Sequence, residues 1–147
     1  FNNLLVYDYN KHNIKQLFKD RINFGNIRIE HYSDDILILF LASTTDTYKD
    51  GVINLLDLKK LFIYSLKNKT LKEVMQENAD ISSVRFVENS KDIIIKFGLD
   101  HNKDGKFDEF TEPSVIKKYD YGKDDLIEIV DKELRQSLQK TLEGTNN

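Results

Sequence analysis

The sequence predicts an all-β fold made of antiparallel four-stranded units that repeat along the chain. A gapless segment occurs three times, as YDYNKHNIKQL (Tyr7–Leu17), YSLKNKTLKEV (Tyr64–Val74) and YDYGKDDLIEI (Tyr119–Ile129), at spacings of 57 and 55 residues. A second segment occurs twice, as IRIEHYSDDILILF (Ile27–Phe40) and VRFVENSKDIIIKF (Val84–Phe97). Both alternate apolar and polar residues with period two around a cluster of turn-forming residues, which is the pattern of a half-buried β-hairpin. Joined together they read strand, turn, strand, acidic loop, strand, turn, strand. Four antiparallel strands recurring every ~55 residues is the signature of a propeller-type blade carrying one long loop.

Taken in order, the chain reads as a single domain, 1–147. It comprises a half blade over 1–24, whole blades over 25–79 and 80–130, and a C-terminal helix over 131–143. The most apolar run, Ile36–Ala42 (ILILFLA), suits a buried strand and is far too short to cross a bilayer. In the tail, Leu134, Leu138 and Leu142 share one helical face, with Asp131 placed as N-cap and Gly144 as stop. The helical stripe is expected to pack on the domain and to cover one open end, with docking in a partner's groove as the alternative. A closed propeller takes about four to eight blades, so the ring is incomplete. The chain is expected to be a fragment, an open stack, or part of an assembly that supplies the missing strands.

The composition suits one soluble globular domain: 147 residues, 39% apolar, 32% charged, net charge −3. Acids and lysines are interspersed, with no basic stripe, which argues against a nucleic-acid partner. With no cysteine, thiol catalysis, disulfides and sulfur-ligated zinc are excluded. The chain starts at Phe1, and is expected to be a processed or truncated product from which any signal or lipoprotein sequence is already gone.

Each complete repeat places an acidic loop between its second and third strands. In DHNKDGKFDEFTE, the side chains of Asp100, Asn102 and Asp104 stand at positions 1, 3 and 5, Gly105 turns the chain at 6, and Lys106 offers its carbonyl at 7. Phe107 anchors the loop at 8, Asp108 follows, and Glu112 is the late carboxylate. Calcium takes six to eight hard oxygen ligands at flexible angles, and such a loop can wrap that sphere. The first loop, DTYKDGVINLLD, has Asp46 at 1, Asp50 at 5, Gly51 at 6, the Val52 carbonyl at 7, Ile53 as anchor, Asn54 at 9 and Asp57 at 12. Its position 3 is Tyr48, a poor ligand, so this loop is expected to bind more weakly or not at all. The two glycines are 54 residues apart and the following tyrosines 55, so one inserted residue brings Glu112 into line with Asp57. The competing reading is a pair of solvated polar turns, since Asp-Gly is common in turns for local reasons. Strand flanks disfavour an EF-hand, so any bound cation is expected to be structural.

The stretch DHNKDGKFDEFTEPSVIKKYDYGKDDLIEI (Asp100–Ile129) and, less closely, DTYKDGVINLLDLKKLFIYSLKNKTLKEV (Asp46–Val74) resemble TolB-like β-propeller repeats. In that family the third strand of a blade often follows an Asp-x-Asn-x-Asp-Gly insertion. The likeness covers Tyr7 to Val130. It implies blades that serve as docking surfaces in the bacterial envelope or as accessory domains beside hydrolases.

His12, His31 and His101 lie in or beside turns and the acidic loop, without the spacing of a catalytic metal site, and no nucleophile elbow or phosphate loop is present. The tyrosines are expected to be mostly core or cross-strand residues. The leading expectation is therefore a non-catalytic binding or scaffold module with calcium-stabilised loops. It would be periplasmic, cell-surface or secreted, with a protein partner or self-association and no membrane span. The alternative is an accessory propeller fragment of an envelope hydrolase whose catalytic domain lies elsewhere.

Overall fold

The structure is a computed structural model that describes residues 3–131, 133, 134, 136 and 137. Among these, ten strands follow one another: β1 (Leu5–Asp8), β2 (Asn13–Gln16), β3 (Asn23–His31), β4 (Ile36–Ser43), β5 (Lys60–Ser65), β6 (Thr70–Val74), β7 (Ala79–Phe86), β8 (Ile93–Leu99), β9 (Ser114–Asp120) and β10 (Asp125–Glu128). They form three antiparallel sheets. β1 and β2 make a two-stranded hairpin, and β3-β4-β5-β6 and β7-β8-β9-β10 make two meanders in sequence order. Each long acidic loop joins the second and third strands of its meander. β3 begins at Asn23, two residues ahead of the expected blade boundary, because a bulge between Phe24 and Ile27 lets the strand resume its register with β4.

The repeat is visible atom by atom in the tight turns. His12, Lys69 and Asp124, which are equivalent positions, all adopt left-handed backbone, at φ 49°, 57° and 58°. In each turn a side-chain oxygen, from Asp8, Ser65 or Asp120, accepts the N–H three residues on, at 3.2, 3.0 and 3.0 Å. This local bond holds a conformation that non-glycine residues otherwise avoid. A second tie recurs in both meanders. Asp35 Oδ1 accepts the Lys67 N–H at 3.0 Å, and its equivalent Asp92 accepts the Tyr121 N–H at 3.1 Å, joining one hairpin turn to the next.

The chain divides into two compact units. One comprises Phe1–Ile81 with Gly98–Pro113, and the other Ser82–Phe97 with Ser114–Asn147. The core of the first is an aromatic layer: Ile22, Phe24, Phe40, Ala42 and Phe62 are buried, with Leu4, Phe18, Ile38 and Leu71 packed against them. Phe40 and Phe62, cross-strand partners on β4 and β5, stack at 5.5 Å between centroids. Phe18 meets the Phe62 ring edge-on at 5.0 Å. The Asn3 amide donates to the Phe18 carbonyl at 2.8 Å, so both ends of the β1–β2 hairpin are fixed where it packs. Burying one such ring contributes about 2–3 kcal/mol. In the second unit Ile93, Ile95 and Phe97 alternate inward along β8, and Tyr119 is buried on β9.

Among the described residues no C-terminal helix is seen as an element. The one expected over 131–143 falls mostly on residues outside those described. At its start, Asp131 Oδ1 accepts the Leu134 N–H at 2.8 Å. Among the described residues no helix is long and apolar enough to cross a membrane.

Candidate functional site

The two acidic loops belong to one unit and are built alike. At position 1, Asp46 accepts the N–H of Asp50 at 3.2 Å and of Gly51 at 2.8 Å, and Asp100 accepts those of Asp104 at 3.1 Å and Gly105 at 2.9 Å. Position 4 is left-handed in both, Lys49 and Lys103 each at φ 61°. Position 6 needs glycine, with Gly51 at φ 92° and Gly105 at φ 86°. The position-5 acids then close the next turn: Asp50 accepts the Val52 N–H at 3.0 Å and Asp104 the Lys106 N–H at 3.2 Å.

The late acids occupy equivalent places, as the one-residue insertion requires. Asp57 Oδ1 accepts the N–H groups of Thr47 at 2.7 Å and Tyr48 at 3.0 Å, while Oδ2 accepts that of Asn54 at 2.8 Å. Glu112 Oε1 accepts those of His101 at 2.8 Å and Asn102 at 3.1 Å, while Oε2 accepts that of Asp108 at 2.9 Å. Their shared role here is to bond positions 2, 3 and 9 of the loop, not to point at a common centre. The Asp108 N–H, then that of Asn102, and finally that of His101 hold the Glu112 carboxyl below the usual carboxylate range, against partial desolvation.

The loops also lock onto each other. Thr47 Oγ donates to the Gly105 carbonyl at 2.6 Å, and the Lys106 ammonium lies 4.6 Å from the centre of the Tyr48 ring. A Cβ on Gly105 would stand 1.8 Å from the Thr47 carbonyl oxygen, so the two backbones are in direct contact. Tyr48 therefore sits at position 3 as a platform for a lysine. Phe107 is the anchor expected: its ring lies over Gly98 on β8, where a Cβ would meet it at 2.3 Å. The Thr47 bridge had no signal in the sequence, since Thr in a polar loop is commonplace.

Calcium can be tested against this geometry. Asp57 is 1% exposed and its carboxylate accepts three N–H groups, so it is an internal cap closed off from solvent. Val52 and Asp50 lie at the exposed rim of the same loop, where the Asn54 amide donates to Asp50 Oδ2 at 2.8 Å. In the second loop each Asp100 oxygen accepts one N–H and so keeps a lone pair. Asn102 Oδ1 accepts the Asp104 N–H at 2.8 Å, and Asp108 Oδ1 accepts that of Phe110 at 2.9 Å. The Lys106 ammonium stands 4.0 Å from Asp104 Oδ2, partly neutralising it. Among the described residues, no group of three or more His, Asp or Glu side chains could hold a metal ion as arranged. The Asp46 oxygens likewise accept one N–H each, but position 3 of that loop is Tyr48, so the fuller set of oxygen donors is that of the second loop.

A cleft of about 440 Å³ shares no lining residue with either acidic loop. It opens beside the β1–β2 turn, among Tyr7, Asp8, Tyr9, Tyr64 and Lys69. Asp8 and Lys69 bond across it at 2.6 Å, which lowers the carboxyl's pKa and raises the ammonium's. Both groups are solvent-facing, so the pair tethers the hairpin weakly.

No family model, no curated protein and no solved structure matches this chain.

Proposed function

We propose that the chain is a non-catalytic binding or scaffold module, that its sheets are propeller-type blades of the TolB-like kind, and that it works outside the cytoplasm. The observation that carries this reading is the joined pair of acidic loops. Their carboxylates turn inward onto backbone N–H groups and their backbones meet at Thr47 and Gly105, so they brace the blade and do not surround a substrate space. Asp100, Asn102, Asp104, Asp108 and the Lys106 carbonyl are the groups that would hold a calcium ion in the second loop. Such an ion would supply positive charge where these acids crowd. At a Kd of ~10 μM, calcium near 1 mM would add about 2.7 kcal/mol by mass action, a large share of a domain's stability. Millimolar calcium is found outside the cytoplasm, which is what supports the localisation.

The test is a thermal melt of chelator-treated protein with and without about 1 mM calcium, beside Asp104→Ala. A calcium-dependent rise in Tm that the substitution abolishes is the expected result. Equal Tm values with and without calcium in the parent protein would sink the calcium reading and the localisation drawn from it. The loops would then be braces closed by their own hydrogen bonds.

A further inference from the structure

The hairpin β1–β2 is the equivalent of β5–β6 and β9–β10, but its environment is not. Tyr64 and Tyr119 are each 2% exposed, whereas their equivalent Tyr7 is 55% exposed. Two residues earlier, Phe62 is 2% exposed and its equivalent Leu5 61%. In the complete unit, Tyr64 and Phe62 are covered along one strand edge by β4, through the pairs Ile38–Tyr64 and Phe40–Phe62. Among the described residues no strand pairs with the corresponding edge of β1.

The hydrogen-bond phase says what that edge offers. The Leu17 N–H donates to the Leu4 carbonyl at 2.9 Å, so Leu4 is a bonded pair with β2. Antiparallel ladders alternate bonded and non-bonded pairs, so Val6 and Asp8 also bond to β2. Leu5 and Tyr7 then turn their N–H and C=O groups outward, as Phe62 and Tyr64 do toward β4. An open edge with its apolar side chains exposed is a template for strand addition.

We propose that the outer edge of β1 binds an apolar β-hairpin supplied by another polypeptide segment, added antiparallel in the manner of β3–β4 and β7–β8. The incoming strand next to β1 has the chemistry of β4 and β8. It alternates large aliphatic residues, and it carries an acid at its start that accepts a backbone N–H of the turn at Tyr9 and Asn10, as Asp92 and Asp35 do in their own repeats. This rests on the binding-module reading above and names the partner's chemistry.

The probe is a synthetic hairpin with the sequence of residues 84–99, added to the intact chain while amide hydrogen exchange is followed residue by residue. The amides of Leu5 and Tyr7 are expected to slow by about tenfold or more, while those of Val6 and Asp8, already bonded, change less. A control peptide with serine at the positions of Ile93, Ile95 and Phe97 should give no protection. Leu5→Pro removes one outward N–H without breaking the β1–β2 ladder, and should weaken peptide binding while leaving the melting temperature near that of the parent. Unchanged exchange at Leu5 and Tyr7 at saturating peptide overturns the proposal. Protection that grows with protein concentration alone also overturns it, because the occupant is then a second copy of this chain. Neither readout involves calcium, so failure here leaves the melting test of the loops intact.

Discussion

The two acidic loops are the same device at two levels of burial. In the first, Asp57 is sealed beneath its loop and accepts from three backbone N–H groups. In the second, Glu112 makes three backbone bonds but is only half-buried. One extra methylene and one extra chain residue deliver a carboxylate to equivalent donors by a longer route. A loop that closes on itself around a buried acid gains rigidity. One that closes around a half-buried acid leaves that acid within reach of water.

The largest effect that should separate the loops comes from deleting the late acid. Asp57→Ala leaves three half-buried N–H groups without an acceptor and is expected to cost about 3 kcal/mol in chemical denaturation. Glu112→Ala should cost clearly less, because water can replace its oxygens. Equal losses would show that burial does not distinguish the two. Next come the glycines. Gly51→Ala meets open space and bears only the left-handed backbone strain, about 1 kcal/mol. Gly105→Ala must also push the Thr47 backbone away, which is expected to raise the loss to about 3 kcal/mol and to loosen both loops together. Should the two variants unfold at the same denaturant concentration, the loop-to-loop contact is not tight in solution.

The smallest effect is the pH dependence of the second loop. The folded-state pKa of Glu112 is lowered, chiefly by the Asp108 N–H and then by that of Asn102. Its contribution is therefore complete above the ordinary glutamate value of 4.5 and is lost as pH falls below that through the depressed folded value. Glu112→Gln should flatten that part of the stability-against-pH curve without changing its slope at neutral pH. An unaltered acid limb would remove Glu112 from the account.

Much of the local design was legible in the sequence. The three hairpins were marked by period-two alternation around Asn, Lys, Gly and Asp, and each turn carries its left-handed residue at the same repeat position. The burial of β4 followed from its unbroken aliphatic run. The equivalence of Asp57 and Glu112 followed from counting one inserted residue, and the anchoring of Phe107 from its position in the loop. The tyrosines were legible only by half. Identical residues in identical repeats are buried at 64 and 119 and exposed at 7, because exposure depends on which neighbour covers the strand, and a side chain carries no record of that.

What the sequence by itself determined was therefore what is set by neighbours a few residues apart: strand period, turn chemistry, and the repeat positions of the loop acids. Only the tertiary structure decided that residues 98–113 belong with the first unit, and that Thr47 and Lys106 tie loops whose centres lie more than fifty residues apart. The same is true of the Asp57 and Glu112 carboxylates each facing N–H groups of its own loop instead of a cation. The physical reason is that a carboxylate serves a cation or an amide equally well by composition. The choice is made by where the backbone donors stand once the chain has folded.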